Sequence, residues 1–323
     1  SINGVSGKTG VEENSTPQTV TITITDNESA PTVTLATASS SIDENSGSTI
    51  TLTATASTAT FQDVTVSIDG TGGTGTEGTD FGTISDITIS AGSTTGTVTF
   101  DPTDDSIYEG NETAGISVSG VSGGGASESG TQAVTITITE NESAPTVTLT
   151  TSATSIAENA GSSLTLTATL SGATDSAITV ALDTSGTATE GTDYTDGSGN
   201  IDDITISAGA TTGTVSFTPT DDSIYDAASN ETATISINGV SGKTGVEENS
   251  TPQAVTITIT DNESAPTVTL ATASTSIDEN SGSTITLTAT VSTATFQDVT
   301  VSIDGTGGTG TEGTDFGTVS DIT

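Results

Sequence analysis

Short runs in which apolar and polar residues alternate recur along the whole chain. Ile50, Leu52, Ala54 and Ala56, for example, alternate with threonines and serine, and such runs are bounded by Gly, Asp, Asn or Ser. Alternation with a period of two places successive side chains on opposite faces of a β-strand and is typical of strands with one buried face. No run has the 3.6-residue period of an amphipathic helix. The pattern therefore predicts an all-β protein of antiparallel strands.

Seven such runs fall within one stretch of about 114 residues, the spacing at which the pattern begins again. Their apolar positions are Val33 and Leu35; Ile50, Leu52, Ala54 and Ala56; Val64, Val66 and Ile68; Ile87 and Ile89; Val98 and Phe100; Ile116 and Val118; Val134, Ile136 and Ile138. About seven strands in a stretch of this length predict a two-sheet β-sandwich of immunoglobulin-like size. The threonines of these runs have high β propensity and suit the solvent face of a strand.

Internal repetition sets the domain organisation. The heptapeptide at residues 29–35 returns at 143–149 and 264–270, and residues 1–88 match residues 236–323 at all but four positions. Repetition at a fixed period is typical of tandem arrays. We predict the end of one module at 1–28, complete modules at 29–142 and 143–263, and the start of another at 264–323. Because both ends fall inside modules, we expect a longer polypeptide.

The chain is strongly acidic, which narrows the classes of partner. It has 42 acidic residues against two lysines, no histidine and no cysteine, and a formal charge of -40. Nucleic acid and anionic membrane surfaces repel such a chain, and no apolar run is long enough to insert into a membrane. Without cysteine, no disulfide stabilises modules of low hydrophobic content, so bound metal is the expected substitute. Composition alone would also fit disorder, but the periodicity argues against it.

Carboxylates cluster in turns and at strand ends rather than along the strands. Because a sandwich gathers alternate loops at one end, we expect six to eight carboxylates of a module to converge with no cation beside them. A hard divalent cation with many oxygen ligands relieves that repulsion, and Ca²⁺ fits flexible loops better than Mg²⁺ does. Zinc is disfavoured without Cys or His. The alternative is a solvated acidic surface that keeps the chain soluble, which we expect for the isolated acids Asp63 and Asp175.

Four segments, taken in order, resemble the Calx-beta repeat. They are Ile-Asp-Glu-Asn-Ser-Gly at 42–47, Gly-Thr-Glu-Gly-Thr-Asp-Phe at 75–81 with its counterpart at 186–194, Asp-Asp-Ser-Ile-Tyr-Glu-Gly-Asn-Glu at 104–112, and Val-Thr-Ile-Thr-Ile-Thr-Glu-Asn-Glu at 134–142. The resemblance covers essentially the whole chain. It implies immunoglobulin-like sandwiches that bind calcium, as in the regulatory domains of sodium/calcium exchangers and the stalks of large surface proteins.

The resemblance also implies the calcium ligands. Those of the first complete module are Glu44, Asp80, Asp104, Asp105, Glu109 and Glu112, with the Ile107 carbonyl, and Glu140 and Glu142 in the closing acidic segment. The second set is Glu158, Asp193, Asp221, Asp222 and Glu231, with Asp261 and Glu263 closing it, and the last copy begins with Glu279 and Asp315. Asp226 precedes a loop that is two residues longer than its counterpart, so its role stays open. The closing segments Glu-Asn-Glu and Asp-Asn-Glu depart from the family's acidic triplet, which affects the expected number or affinity of ions.

We therefore expect a structural rather than enzymatic protein: a segment of an extracellular stalk, adhesin or filament whose module junctions are stiffened by calcium. A nucleophile paired with histidine is impossible here, and nine Phe and Tyr residues spread over repeated modules do not line a glycosidase cleft. Three alternatives remain. They are a self-assembling fibre or sheath with lateral contacts, a calcium sensor for a neighbouring domain, and an accessory module of a large secreted hydrolase. Extracellular modules bind calcium at about 10⁻⁴ to 10⁻³ M.

Overall fold

The computed structural model describes residues 5–12, 19–25, 27–226, 230–250 and 253–323. In this part of the chain every regular element is a β-strand, so the predicted all-β class is confirmed. The chain divides into two compact units. The first contains residues 1–103 and 113–138, and the second contains residues 104–112 and 139–323.

The first unit is a two-layer sandwich. Its strands are β1 (Thr32–Thr37), β2 (Ser41–Asp43), β3 (Ile50–Ala56), β4 (Val64–Gly73), β5 (Ile87–Ile89), β6 (Thr95–Phe100), β8 (Glu112–Ser122), β9 (Ser127–Glu128) and β10 (Ala133–Thr139). One sheet has the order β6-β3-β1-β9 and the other the order β2-β10-β8-β4-β5. Antiparallel pairing predominates, whereas the short β9 runs parallel to β1.

The second unit repeats this sandwich and adds short strands. After β7 (Ile107–Tyr108) it contains β11 (Thr146–Thr151), β12 (Ser155–Ala157), β13 (Leu164–Leu170), β14 (Ala173–Thr174), β15 (Ile178–Gly186), β16 (Tyr194–Thr195), β17 (Ile204–Ile206), β18 (Thr212–Pro219), β19 (Ile224–Tyr225), β20 (Glu231–Ser241), β21 (Glu247–Glu248) and β22 (Ala254–Thr260). The two sheets have the orders β16-β18-β13-β11-β21 and β12-β22-β20-β15-β17. β7 pairs with β14 in a separate two-stranded sheet.

The apolar and polar residues that alternate in the sequence lie on opposite faces of each sheet. In β3, Ile50 and Leu52 are buried while Thr51 between them is exposed. All seven predicted runs of the first module lie in strands that contribute to the core between the sheets. The sequence pattern missed the two- and three-residue strands β2, β7 and β9, because so short a segment shows no measurable period.

An aromatic pair anchors the acidic turn of each sandwich to its core. Tyr194 is 1% exposed and stacks on Phe217 with ring centroids 4.7 Å apart. In the first unit, the rings of Phe81 and Phe100 lie 5.0 Å apart. Because each first ring directly follows the motif aspartate, Asp193 or Asp80, burial of the ring fixes where that carboxylate emerges.

The last copy of the repeat forms less structure than the two before it. It carries β23 (Val268–Thr272), β24 (Leu287–Val291) and β25 (Ala294–Thr295), and β23 is exposed throughout. Every buried residue of the second unit's core lies between Val147 and Ile259, so this core does not depend on residues 264–323. The module boundaries proposed from the sequence stay a prediction. No helix in the described residues is long and apolar enough to cross a membrane.

Candidate metal centre

The acidic residues of the second repeat lie where strands begin and end. Glu158 follows β12, Asp193 precedes β16, and Glu231 opens β20. The remaining members lie in the loops on either side of β19 and after β22; they are Asp221, Asp222, Asp226, Asp261 and Glu263. These positions are those predicted for the second set of ligands. All of them belong to the second unit.

Three of these carboxylates converge closely enough to share one ion. Glu158, Asp221 and Glu263 each offer an oxygen that lies within 4.8 Å of the other two. Oxygens on opposite sides of a calcium ion lie about 5 Å apart, because each Ca–O bond is about 2.3–2.6 Å long. The spacing therefore suits a calcium ion held by all three side chains.

Glu263 supplies the most direct sign that this cluster needs a cation. Its Oε2 is buried and has no hydrogen-bond partner, whereas Oε1 accepts a hydrogen bond of 2.9 Å from the Asn262 amide. A buried oxygen of a carboxylate without a partner is costly, because nothing replaces the water that it loses on folding. A bound metal ion would satisfy this oxygen.

The pKa values of two glutamates in the cluster are raised. Burial raises the pKa of Glu231 to about 7, and the negative charges of Asp193 and Asp226 add to the effect. Burial also raises the pKa of Glu158, to which the charges of Asp222 and Asp261 contribute. Raised pKa values with these causes indicate that negative charges lie close together in a partly buried place with little positive charge nearby.

The pKa values of two further carboxylates in the cluster are also raised, and that of a third is lowered. Burial raises the pKa of Asp226, with the charges of Asp222 and Asp261 as further causes. The pKa of Glu263 is raised first by the neighbouring Asp261 side chain and then by burial. Burial would raise the pKa of Asp261 too, but hydrogen bonds from the backbone N–H groups of Glu263 and Asp226 lower it overall. Asp261 thus keeps its negative charge more readily than these neighbours do.

Backbone N–H groups hold several of these carboxylates in place. The N–H of Asp222 donates to Oε1 of Glu158 at 2.9 Å, and the N–H of Thr189 donates to Oδ2 of Asp193 at 2.6 Å. The N–H of Ile224 donates to Oδ1 of Asp222 at 2.6 Å. Such bonds orient the side chains before any ion binds. A small cavity beside them is lined by Glu158, Asp226, Asn230, Glu231, Ile259 and Asp261.

The corresponding acids of the first repeat are divided between the two units. Within the second unit, the N–H groups of Glu109 and Gly110 both donate to Oε2 of Glu140, at 2.5 and 2.7 Å. Burial raises the pKa of Glu140, but these bonds and those from Glu142 lower it overall. The Asn141 amide donates to Asp104 at 3.3 Å. The segments on both sides of β7 therefore form one hydrogen-bonded network with the residues that follow β10.

The other predicted ligands are placed as follows. In the first unit Glu44 and Asp80 are buried, and Oδ2 of Asp80 accepts a 2.5 Å bond from the N–H of Thr76. Asp105, in the second unit, accepts a 2.6 Å bond from the N–H of Ile107, and Glu112 is the first residue of β8. In the last copy Glu279 is exposed, and Asp315 accepts a 2.7 Å bond from Thr311. A metal-binding role for each residue stays a prediction, including the role of the Ile107 carbonyl.

Other acids that sequence reasoning did not separate from the ligands have roles within the loops. Oε1 of Glu190 accepts a 2.6 Å bond from the N–H of Ile201, and Glu77 and Glu312 do the same at their turns. The signal was available, since this glutamate recurs three residues before the motif aspartate. Asp175 forms an ion pair with Lys243 at 2.8 Å, so it is more than a solvated surface charge.

Fold and site define a class of protein: tandem all-β domains that gather carboxylates at strand ends. The model of the Calx-beta domain family matches residues 26–142, 140–263 and 261–322. The chain belongs to this family, as its motifs indicated. Calcium is the metal of the family, and the donor set of the second repeat fits it because every donor is an oxygen and one of them is buried and unsatisfied.

Solved structures similar to the chain include calcium-binding domains of Calx proteins. The crystal structure of CBD12 from CALX1.2 is 15% identical and covers 70% of this chain and 99% of its own, with a TM-score of 0.31. The apo form of the Calx CBD1 domain is 19% identical and covers 37% of this chain and 98% of its own, with a TM-score of 0.30. A comparison with curated proteins finds no match.

Proposed function

We propose that the chain is a segment of an extracellular stalk, adhesin or filament in which calcium stiffens the connection between successive repeats. The observation that carries this proposal is the position of β19. Asp222 lies two residues before Ile224, and Asp226 directly follows Tyr225, so candidate ligands flank the strand on both sides. β19 itself pairs in parallel with β25 of the following repeat.

The same connection occurs at the preceding repeat. There β7 pairs in parallel with β14, with Ile107 opposite Ala173 and Tyr108 opposite Thr174. The strand again has acids on both sides, Asp105 before it and Glu109 after it. Two occurrences of one arrangement indicate that the acidic loop and the strand bridge act together.

Tyr108 adds a side-chain contact to its bridge. It packs against the core that Val147 to Ile259 build, and its hydroxyl donates to the carbonyl oxygen of Thr244 at 3.3 Å. Gly245 makes room for it, since a Cβ at this position would lie 3.0 Å from the Tyr108 hydroxyl. The φ of Gly245 is 90°, a region that glycine adopts without strain.

Electrostatics link this bridge to calcium. Without an ion, carboxylates on both sides of the strand repel one another, since the charge of Asp222 adds to burial in raising the pKa of Asp226. A calcium ion supplies positive charge that draws the same loops together. Ordering Asp222 and Asp226 orders the strand between them, and this would limit bending where one repeat follows another.

Calcium at millimolar concentration surrounds extracellular proteins, which is the range that such modules bind. The high negative charge keeps a long array soluble and discourages association with nucleic acid or anionic membranes. We assign no catalytic role, because the acidic groups act here as ion ligands and loop supports. The partners in this proposal are calcium ions and the neighbouring repeats of the same chain.

Thermal unfolding with calcium and with a chelator tests the proposal. At several millimolar calcium, a site of the expected affinity adds about 1–2 kcal/mol per ion, which raises Tm by several degrees. The double variant Asp221→Asn with Glu263→Gln should lose this gain, whereas Glu247→Gln, which removes an exposed charge from β21, should keep it. Small-angle scattering should show a less flexible chain when calcium is present.

The outcomes separate the competing functions. An unchanged Tm would leave the acids as solubilising groups and contradict a calcium-stiffened array. A calcium dissociation constant near 1 µM, the range of cytosolic sensors, would favour a regulatory module instead. Calcium-dependent stability with no change in flexibility would support metal binding but not the stiffening of junctions.

A further inference from the structure

Two residues with hydroxyl groups in the second repeat replace two residues without them in the first. Thr184 and Tyr194 stand where the first repeat has Gly70 and Phe81, and the last copy again has a glycine and a phenylalanine at these places. Both exchanges concern the turn that presents the motif aspartate, because Tyr194 directly follows Asp193. The two hydroxyls therefore occur together in one kind of repeat and are missing together in the other.

The structure places these exchanged residues around one glutamate of the turn. In the first repeat a Cβ at Gly70 would lie 3.3 Å from Oε2 of Glu77 and 3.5 Å from the Phe81 ring. In the second repeat the Thr184 hydroxyl lies in the corresponding place and donates to Oε2 of Glu190 at 2.9 Å. The space beside Gly70 is thus occupied by a hydrogen-bond donor in the second repeat.

Tyr194 extends this hydrogen bond into a short chain. The residue is 1% exposed, and its hydroxyl makes a side-chain hydrogen bond with Thr184. Because a threonine hydroxyl has one hydrogen, which Thr184 gives to Glu190, its oxygen accepts the hydrogen of Tyr194. Burial raises the pKa of Tyr194, and the charges of Glu190 and Asp193 add to the effect. The Tyr194 hydroxyl is therefore close to the carboxylates of the turn as well as to Thr184.

The loop that this glutamate closes is longer in the second repeat. Glu77 accepts the N–H of Ile84, seven residues away, whereas Glu190 accepts the N–H of Ile201, eleven residues away. Closing a longer loop costs more conformational entropy, so the turn that presents Asp193 needs more contacts to keep one conformation. The two hydroxyls supply such contacts in the repeat that has the longer loop.

We propose that Thr184 and Tyr194 are positioning residues for calcium in the second repeat, where they act through Glu190 on the turn that presents Asp193. The inference rests on the proposed binding of calcium. Neither hydroxyl is a ligand in this proposal. They hold the turn in one conformation before the ion arrives, so Asp193 loses less freedom on binding and the affinity rises.

The experiment is a calcium titration of ¹⁵N-labelled chain 1–323, followed at the amide signals of Gly191 and Asp193. These two residues report on the turn of the second repeat, because their N–H groups donate to carbonyl oxygens within it, at 2.8 and 2.9 Å. Thr184→Val keeps the shape of the side chain and removes the hydroxyl. We expect its calcium affinity at these signals to be about tenfold weaker than that of the parent chain. Thr184→Ser, which restores a hydroxyl, should bind almost as the parent does.

Tyr194→Phe introduces the residue that the first repeat has at this place, and it tests whether the hydroxyls act as one chain. Alone it should weaken calcium binding less than Thr184→Val does, because Thr184 still donates to Glu190. The double variant Thr184→Val with Tyr194→Phe should bind no more weakly than Thr184→Val, since the chain of bonds is already broken. Thr214→Val, on the exposed side of β18, is the matched control for the loss of a threonine hydroxyl and should bind as the parent does.

Hydrogen exchange in chelator gives a second readout that needs no ion. Thr184→Val should speed exchange at Gly191 and Asp193 and leave Leu166, in the middle of β13, unchanged. If the parent binds calcium and Thr184→Val binds it equally well, this inference is overturned while the calcium proposal stands. A lower Tm in chelator with unchanged affinity would show a merely structural role and would overturn the inference too. Signals of the parent that do not respond to calcium would overturn both.

Discussion

The N–H of Asp226 donates a hydrogen bond to Oδ2 of Asp261 at 3.0 Å. This bond joins the loop after β19 to the end of β22, although the loop is two residues longer than its counterpart in the first repeat. In that counterpart, the N–H groups of Glu109 and Gly110 make the equivalent contact with Glu140. The longer loop thus keeps Asp226 at the acidic cluster.

Substituting Asp226 by Asn should have opposite effects with and without calcium. Burial and the charges of Asp222 and Asp261 raise the pKa of Asp226, so its negative charge is unfavourable in the calcium-free protein. Asp226→Asn removes that charge while keeping the backbone bond to Asp261. We expect a higher Tm in chelator and a calcium affinity that is lower by about tenfold or more.

Calorimetric titration and thermal unfolding measure the two effects of Asp226→Asn. Glu247→Gln is the matched control, because it removes one exposed charge outside the cluster and should change neither quantity. A lower Tm in chelator would show that Asp226 stabilises the loop in some other way. Unchanged calcium affinity would remove Asp226 from the set of ligands.

Glu231 makes the calcium-free chain sensitive to pH. Its pKa in the folded protein is about 7, above the ordinary value of 4.5, so the folded state binds this proton more tightly than the unfolded state does. The contribution to stability is complete below pH 4.5 and is lost as the pH rises to about 7. Glu231→Gln should remove this loss, because Gln stays neutral.

The measurement is Tm against pH from 4.5 to 8 in calcium-stripped protein. The difference between Glu231→Gln and the parent chain should grow through this window, which isolates Glu231 from the other carboxylates. Calcium must displace the proton, so binding at pH 6 should release protons and be weaker than at pH 8. A constant difference between the two proteins across the window would contradict the pKa assigned to Glu231.

The sandwich was predictable because the alternation of apolar and polar residues recurs in all of its longer strands. Leu52 and Ala54 alternate with threonines and prove to be buried on one face of β3. The positions of the candidate ligands were predictable too, since turns and strand ends were the only places with dense carboxylates. Membership of the Calx-beta family followed from motifs such as the one that ends in Asp80 and Phe81.

What the sequence did not reveal depends on contacts between distant residues. Asp203 and Glu190 are acids in loops, as the candidate ligands are. In the structure, however, each accepts a hydrogen bond from a distant backbone N–H of its own sandwich, Leu182 for Asp203 and Ile201 for Glu190. The pairing of β7 with β14 rests on two residues in each strand, too few for any periodicity. Only the three-dimensional arrangement separates acids that support loops from acids that face the cluster.

Asp203 should stabilise the second sandwich independently of calcium. The pairing of β15 with β20 shifts register between Ala181 and Leu182, and Oδ1 of Asp203 accepts the Leu182 N–H at 3.0 Å. Because a bulge leaves a backbone group out of the ladder, this bond replaces a lost one. Asp203→Ala should lower the free energy of unfolding by about 1 kcal/mol.

Chemical denaturation with and without calcium checks this role of Asp203. The loss of unfolding free energy should be equal with and without calcium, whereas the effect of substitutions in the acidic cluster should depend on calcium. Glu247→Ala controls for the removal of one negative charge from a highly acidic chain and should stay within about 0.5 kcal/mol of the parent. A loss seen only with calcium would place Asp203 among the groups that support ion binding.

Substitutions of Tyr108 test whether the pairing of β7 with β14 stabilises the second unit. Its ring packs against the core and its hydroxyl donates to Thr244, so the two contributions can be separated by two variants. Tyr108→Phe removes only the hydrogen bond and should cost at most about 1 kcal/mol. Tyr108→Ala also removes a partly buried ring, and a loss of about 2 kcal/mol is expected from the smaller apolar burial.

Hydrogen exchange locates the effect of the Tyr108 variants. If β7 and β14 open together, Tyr108→Ala should speed exchange at Ala173 and Thr174 while leaving Leu166, in the middle of β13, unchanged. Calcium should slow exchange at the same two positions, because the acids beside β7 and the bridge would be ordered together. Equal exchange in parent and variant would show that the backbone pairing holds without the ring, and the stiffness of the junction would then have to come from the ion and the loop alone.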